Sequence, residues 1–152
     1  MSPKTLLALG TAGAALSIAV AHAQALKPET QLKLRKSAYS LMGYSFGGLA
    51  AMAEGKRPYD KAEATRLADL LVQVSMVPRN FFGEGTGQGE TRAKPEIWTH
   101  REDFDAKMDK MVTEAAKLPA IARSGDEAAL KRQAKVVDDA CGSCHDDFRV
   151  KR

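Results

Sequence analysis

The chain has 152 residues, 28% of them charged, with a formal net charge of +4 at pH 7. Acidic and basic residues alternate without blocks, so we read the charge as a solvated surface and expect no nucleic-acid partner. Ala, Leu, Lys, Glu and Asp are abundant and only 6% of residues are aromatic, a composition that favours helices.

The N-terminal stretch predicts an export signal rather than part of the fold. Lys4 is followed by a small, apolar run and by Ala21-His22-Ala23, which has the A-x-A form of a cleavage site. Ala23-Gln24-Ala25 is a second possible site. The apolar run is short for a membrane span. We therefore expect a cleaved signal peptide over residues 1–23, a single domain over 24–152, a periplasmic location, and no stable membrane insertion after cleavage.

The first half of the mature chain predicts two amphipathic helices. The first begins at Pro28, where the missing N–H is tolerated, and ends near Gly55. The second starts at a capping box formed by Asp60 and Glu63 and ends before Pro78. On the first helix, one stripe is expected to face the core: Arg35, Tyr39, Met42, Phe46, Leu49 and Ala50.

Three glycines also lie in this first helix. Gly43, Gly47 and Gly48 each weaken helix propensity by up to ~1 kcal/mol. They could mark the close approach of another backbone, such as a dimer partner, or could simply be tolerated.

Residues 79–98 predict a long crossover. The stretch is rich in glycine but lacks the GK[ST] ending of a phosphate-binding loop, and no strand precedes it. Trp98, at its end, is expected to pack inward.

Two further helices follow the crossover. Thr99 and Glu102 have the spacing of a capping box for the third helix, and Pro119 should kink or break that helix. Asp126 should cap the fourth helix. The fourth helix carries a bundle seam with 4-3-4-3-4 spacing: Leu130, Ala134, Val137, Cys141, Cys144 and Phe148.

The end of the fourth helix carries a motif of two cysteines and a histidine that indicates cofactor attachment. Cys141-Gly142-Ser143-Cys144-His145 is C-x-x-C-H, the attachment motif of c-type haem. Two thiols can add to the haem vinyl groups, and the histidine can reach the iron. On a helix these three side chains fall within one sector, at about 0°, 300° and 40°. Arg149, one turn beyond His145, should flank the proximal face of the haem.

Two other interpretations of the motif are weaker. A catalytic disulfide normally opens a helix after a strand, and nothing resembling a strand precedes Cys141. A zinc site needs four ligands, and outside the motif the mature chain offers one further histidine, His100.

Several elements together resemble the cytochrome c′ family. They are Arg35 in the first helix, Gly55-Lys56-Arg57-Pro58-Tyr59-Asp60 at the first turn, Ala93-Lys94-Pro95-Glu96-Ile97-Trp98 before the third helix, and the C-x-x-C-H motif close to the C-terminus. The resemblance covers almost the whole mature chain. It implies an all-α, antiparallel four-helix bundle with one covalent haem c near the C-terminus.

The resemblance also implies roles for individual residues. Cys141 and Cys144 would hold the haem through thioethers, and His145 would be the axial iron ligand. Arg35 would pair with a propionate, and Tyr39 would cover the vacant iron face. Relatives commonly pair as homodimers through their first two helices. Three further residues fall where relatives contact the haem: Lys36, Glu90 and Thr91.

The sixth iron ligand can be considered from residue chemistry alone. Besides His100, the mature chain offers five methionines: Met42, Met52, Met76, Met108 and Met111. If a propionate holds Arg35, Tyr39 lies nearer the iron than Met42. A tyrosine phenolate can ligate ferric haem, but burial raises the tyrosine pKa. We therefore expect five-coordinate, high-spin iron with Tyr39 as a lid.

Two functions compete on this basis. One is the binding of small diatomic gases, nitric oxide and carbon monoxide. The other is electron transfer with an unidentified periplasmic redox partner, and the two are compatible. The alternative is a dedicated low-spin, six-coordinate electron carrier with Met or His as its second axial ligand. We expect no enzymatic activity, because no general base or second redox centre is visible beside the haem motif.

Overall fold

Antiparallel helices make up most of the computed structural model, which describes residues 26–151. The helices are α1 (Pro28–Ala53), α2 (Lys61–Ser75), α3 (Glu96–Thr99), α4 (Arg101–Ala115), α5 (Leu118–Ser124) and α6 (Glu127–Phe148), with a 3₁₀ turn at Pro78–Phe81. The predicted four-helix bundle is confirmed. The four helices of the bundle are α1, α2, the interrupted helix formed by α4 and α5, and α6. Among residues 26–151, none of the helices combines the length and apolar character needed to cross a membrane.

The ends of the helices follow from local sequence signals. Gly55, just after α1, has φ +73°, a left-handed conformation that only glycine adopts readily. Asp60 Oδ1 accepts the Glu63 N–H at 2.9 Å, so the predicted cap of α2 is present. Asp126 caps α6 in the same way, through the N–H of Ala129 at 2.8 Å.

The sequence predicted the start and the break of the third bundle helix, which is the α4–α5 pair, only in part. The break is confirmed: α4 ends at Ala115, and Pro119 lies in the first turn of α5. The capping box of Thr99 and Glu102 is wrong. Thr99 ends the short helix α3, and its hydroxyl lies 3.0 Å from Nδ1 of the next residue. That next residue, His100, precedes α4 without a side-chain cap, because the chain turns between two helices there.

The core lies between the four helices of the bundle and includes an aromatic cluster. Phe104 packs edge-on against Phe82 at 4.8 Å and against Phe148 at 5.4 Å, measured between ring centroids. Such tilted pairs stabilise beyond the area that they bury. The cluster joins the crossover, α4 and α6, and Trp98 packs beside it, with its indole N–H donating to the carbonyl of Phe82 at 3.0 Å.

The contact between α1 and α2 explains one of the three glycines. A Cβ at Gly48 would lie 2.5 Å from Cδ1 of the fully buried Leu67, so a larger residue there would force this side chain or its helix to shift. At Gly43 and Gly47 a Cβ would meet no atom of this chain within 4 Å. The buried stripe of α1 also differs from the prediction. Arg35, Met42 and Leu49 are buried as expected, together with Ala38, Ser45 and Met52, whereas the other predicted members are only partly buried: Tyr39, Phe46 and Ala50.

A short antiparallel bridge fastens the crossover to the end of α6. Ala93 pairs with Arg149. The N–H of Lys94 donates to the carbonyl of Phe148 at 3.0 Å, and the N–H of Val150 donates to the carbonyl of Arg92 at 2.8 Å. The bridge therefore brings the crossover beside the haem-attachment motif.

Candidate functional site

A cavity of about 1330 Å³ opens between α1, α4, α6 and the crossover. It exceeds the roughly 300–1,000 Å³ of ordinary small-molecule sites. Apolar side chains line its interior and include the aromatic cluster and three methionines. All the site residues predicted from the sequence line it: Arg35, Lys36, Tyr39, Glu90, Thr91, Cys141, Cys144, His145 and Arg149.

The C-x-x-C-H motif occupies the last two turns of α6 and forms one wall of the cavity. Cys141 and Cys144 are both half-buried in this wall. As thiols before haem attachment, both have a raised pKa because of burial: that of Cys141 rises to about 11, and that of Cys144 also rises. Burial and the nearby Arg149 lower the pKa of His145. This shift favours the neutral imidazole, the form that binds a metal.

Arg35 is the most unusual group in the cavity, because its charged side chain is only 3% exposed. Its Nη2 donates to the Thr86 carbonyl at 2.8 Å and to the Thr91 hydroxyl at 2.9 Å. Its Nη1 donates to the Phe81 carbonyl at 3.1 Å and to the Thr86 hydroxyl at 3.3 Å. The guanidinium also lies 4.3 Å above the ring of Phe82. All these hydrogen-bond partners are neutral, and burial lowers the pKa of Arg35.

Tyr39 reaches into the cavity from α1. Its hydroxyl lies 3.9 Å from the sulfur of Met108, and the side chain packs against the core. Burial and the nearby cysteines raise its pKa far above the ordinary value. The side chain is therefore a neutral phenol at physiological pH. Among the methionines considered as ligands, Met42, Met108 and Met111 line the cavity, whereas Met52, Met76 and His100 do not.

The remaining predicted residues lie at the mouth of the cavity. Lys36 and Glu90 form an exposed ion pair at 3.4 Å. Thr91 faces inward and helps to hold Arg35. Arg149 extends over the imidazole of His145, with Nη1 3.5 Å from both ring nitrogens. The structure thus brings the predicted site residues together at one site, while their individual roles toward a haem stay predictions.

Two residues of the site were missed from the sequence. Thr86 is 1% exposed and holds Arg35, yet it lies within a glycine-rich stretch that carries no periodic signal. Lys107 lines the cavity from α4 and contacts the motif through Ser143. The sequence pattern did not single it out, because a lysine one residue before the buried Met108 on α4 resembles an ordinary surface lysine.

These groups are the ones that a covalently bound haem requires. Two cysteines one helical turn apart and a histidine lie on one wall, and the apolar side chains of the interior suit a porphyrin. A buried cation with neutral partners is costly unless an anion compensates it. Arg35 would gain that compensation from a haem propionate. The fold and the site therefore define a helical-bundle haem protein of the c type.

Comparison with known proteins identifies the family. The family model described as Cytochrome C′ matches residues 30–149. Cytochrome c′ of Rubrivivax gelatinosus is 38% identical over 126 residues, which span 82% of this chain and 98% of that protein. Its crystal structure superposes with a TM-score of 0.78 and covers 83% of this chain and 99% of that one.

A second solved structure is a nitric oxide complex of a mutant cytochrome c′ from Alcaligenes xylosoxidans. It is 35% identical, covers 85% of this chain and 100% of its own, and has a TM-score of 0.77. The chain belongs to the cytochrome c′ family. Its cofactor is covalently attached haem c, as the sequence predicted.

Substitution of Thr86 tests the hydrogen bonds that hold Arg35. The hydroxyl of Thr86 donates to the Gly83 carbonyl at 2.7 Å and accepts from Arg35. Thr86→Val keeps the shape but leaves buried polar groups without a partner, so we expect a loss of about 1–3 kcal/mol in the unfolding free energy of the haem-loaded protein. Denaturant titration measures this loss.

Thr65→Val is the matched control, because the hydroxyl of Thr65 donates only within its own helix, to the carbonyl of Lys61. We expect a change within about 0.5 kcal/mol for it. Equal losses in the two variants would contradict a special role for Thr86.

Proposed function

We propose that the protein is a periplasmic haem protein whose five-coordinate, high-spin iron binds small diatomic gases, nitric oxide and carbon monoxide. In this proposal Cys141 and Cys144 carry the haem through thioethers, and His145 is the axial ligand. The observation that carries the proposal is the asymmetry of the cavity: α6 contributes the imidazole of His145 to its wall, whereas α1 contributes Tyr39, whose hydroxyl contacts the sulfur of Met108 at 3.9 Å. Haem c supplies an iron centre that can change its redox state and take a gaseous ligand.

The side chains divide the work of the site between them. Arg35 would hold a haem propionate, and Lys36, Glu90 and Thr91 would contact the haem edge. Tyr39 covers the second face of the iron and limits access to small, uncharged molecules. Arg149 orients the imidazole of His145 from above, at 3.5 Å from its ring nitrogens. A similar family member has been solved as a nitric oxide complex, which supports a gas as the ligand here.

Electron transfer is the second candidate function. Met42, Met108 and Met111 line the cavity, and a thioether sulfur is a usual second ligand in electron carriers. All three are at least nine-tenths buried and already packed in the hydrophobic core, and Met108 contacts the hydroxyl of Tyr39. A methionine would have to leave this packing to bind the iron. We therefore rank a six-coordinate carrier below the gas-binding protein, and we propose electron exchange with a periplasmic partner as a compatible role. We propose no enzymatic turnover, since the family members found are cytochromes.

Export and pairing complete the proposal. The predicted signal peptide, residues 1–23, lies outside the described residues, and its removal would leave the domain of residues 24–152 in the periplasm, where the haem would be attached. A homodimer is favoured by apolar side chains that stay exposed on α1. Leu34, Leu41 and Tyr44 are 40%, 46% and 57% exposed, and Gly47 leaves space for a partner helix.

An absorption spectrum of the purified ferrous protein, with and without nitric oxide, tests the gas-binding function. We expect a high-spin spectrum that changes on addition of the gas, because the second iron face lacks a strong ligand. His145→Ala should keep the haem attached through both thioethers but lose the normal ferrous spectrum. A sharp low-spin reduced spectrum in the untreated protein would instead favour the six-coordinate carrier.

Substitution of Tyr39 tests the lid. Tyr39→Ala should speed carbon monoxide binding, since it removes the ring that covers the second face of the iron. Tyr39→Phe keeps the bulk and removes only the hydroxyl, so its association rate should stay near that of the unmodified protein. Stopped-flow mixing or flash photolysis measures both rates. An unchanged rate in the alanine variant would remove Tyr39 from this role.

Sedimentation of a charged variant tests the dimer. Leu41→Glu places a carboxylate in the exposed apolar stripe of α1 and should convert the dimer to a monomer. Val136→Glu is the control, because Val136 is similarly exposed, at 40%, but lies on α6. A monomeric unmodified protein, or a Leu41→Glu variant that stays dimeric, would contradict pairing through α1.

A further inference from the structure

A lysine from α4 is fastened to the haem-attachment motif. Lys107 Nζ donates to the hydroxyl of Ser143 at 2.7 Å and to the carbonyl of Ser143 at 3.2 Å. It also forms an ion pair with Asp147 Oδ2 at 2.7 Å. Ser143 is the second spacer residue between the two cysteines, and Asp147 follows His145 by two positions. Lys107 therefore links α4 directly to the motif.

The two members of this ion pair differ in their exposure to water. The Lys107 side chain is 29% exposed, whereas that of Asp147 is 55% exposed. Both line the main cavity. Because water screens an exposed charge more strongly than a half-buried one, the positive charge of Lys107 is felt more strongly inside the cavity than the negative charge of Asp147.

We propose that Lys107 is a positioning residue that holds the turn between the two cysteines and that, together with Asp147, it tunes the reduction potential of the iron. This inference rests on the proposed attachment of haem at Cys141 and Cys144. Ferric haem carries one more positive charge than ferrous haem. A nearby cation therefore disfavours the ferric form and raises the potential, while a nearby carboxylate lowers it.

Charge substitutions separate this proposal from a purely structural link. Lys107→Met removes the cation with little change in side-chain length and should lower the reduction potential. At a fixed solution potential, the ferric-to-ferrous ratio should therefore rise by about three- to tenfold. Asp147→Asn removes the carboxylate and should shift the ratio the other way, by less. Lys107→Arg keeps the charge and should stay near the unmodified protein. Spectroscopic redox titration of each haem-loaded variant measures the ratio.

Lys110→Met is the matched control. Lys110 lies one turn further along α4, is exposed, and is not part of the cavity wall. Its substitution removes the same net charge and should leave the ratio almost unchanged. Opposite shifts in the Lys107→Met and Asp147→Asn variants, both larger than that of the control, would support the proposal.

Shifts in the same direction, or shifts no larger than that of Lys110→Met, would overturn it. If Lys107→Met does not fold, the sign of the shift in Asp147→Asn decides the matter alone. Failure of the proposed haem attachment is recognised separately, because the unmodified protein would then carry no covalently bound haem in its mass spectrum.

Discussion

A positive charge held inside the protein by neutral oxygens is the constraint on which this site depends. Arg35 is almost fully buried, and its hydrogen bonds join α1 to the 3₁₀ turn and to two residues of the crossover, Thr86 and Thr91. Removing a charge from water is expensive unless opposite charge compensates it. The neutral oxygens orient the guanidinium, and a haem propionate would supply the missing negative charge. The same side chain thus organises the crossover and prepares the site for its cofactor.

The second constraint is the position of the motif at the end of a helix. The last carbonyls of a helix have no partners within it, and here they lie beside His145. Lys94 supplies two of the missing donors: its backbone N–H reaches the carbonyl of Phe148, and its ammonium group reaches that of Asp146 at 2.8 Å. Lys107 adds a third contact one turn earlier. Cations near the C-terminus of a helix also suit its dipole, so the crossover and α4 together stabilise the turns that carry the chemistry.

Much of the fold could be read from local signals, because those signals act within a few residues. Pro28, Gly55, Asp60 and Asp126 each define a helix end through their own backbone or side chain. The capping box at Thr99 failed because the short helix α3 ends there, just before α4 begins, and a spacing rule cannot tell which of the two helices a threonine belongs to. Of the three glycines of α1, only Gly48 is explained by packing within the chain, and that contact with α2 is not visible in the local sequence.

The sequence by itself determined the helices, the motif at the end of the last one and the family resemblance, since each depends on the identity and spacing of neighbouring residues. Only the tertiary structure decided that Thr86 holds Arg35, that Tyr39 contacts Met108, and that Lys107 is joined to Ser143 and Asp147. These contacts link residues 36 to 69 positions apart in the chain. Their geometry follows from how the helices pack and where the crossover runs, and no local pattern of residues encodes either.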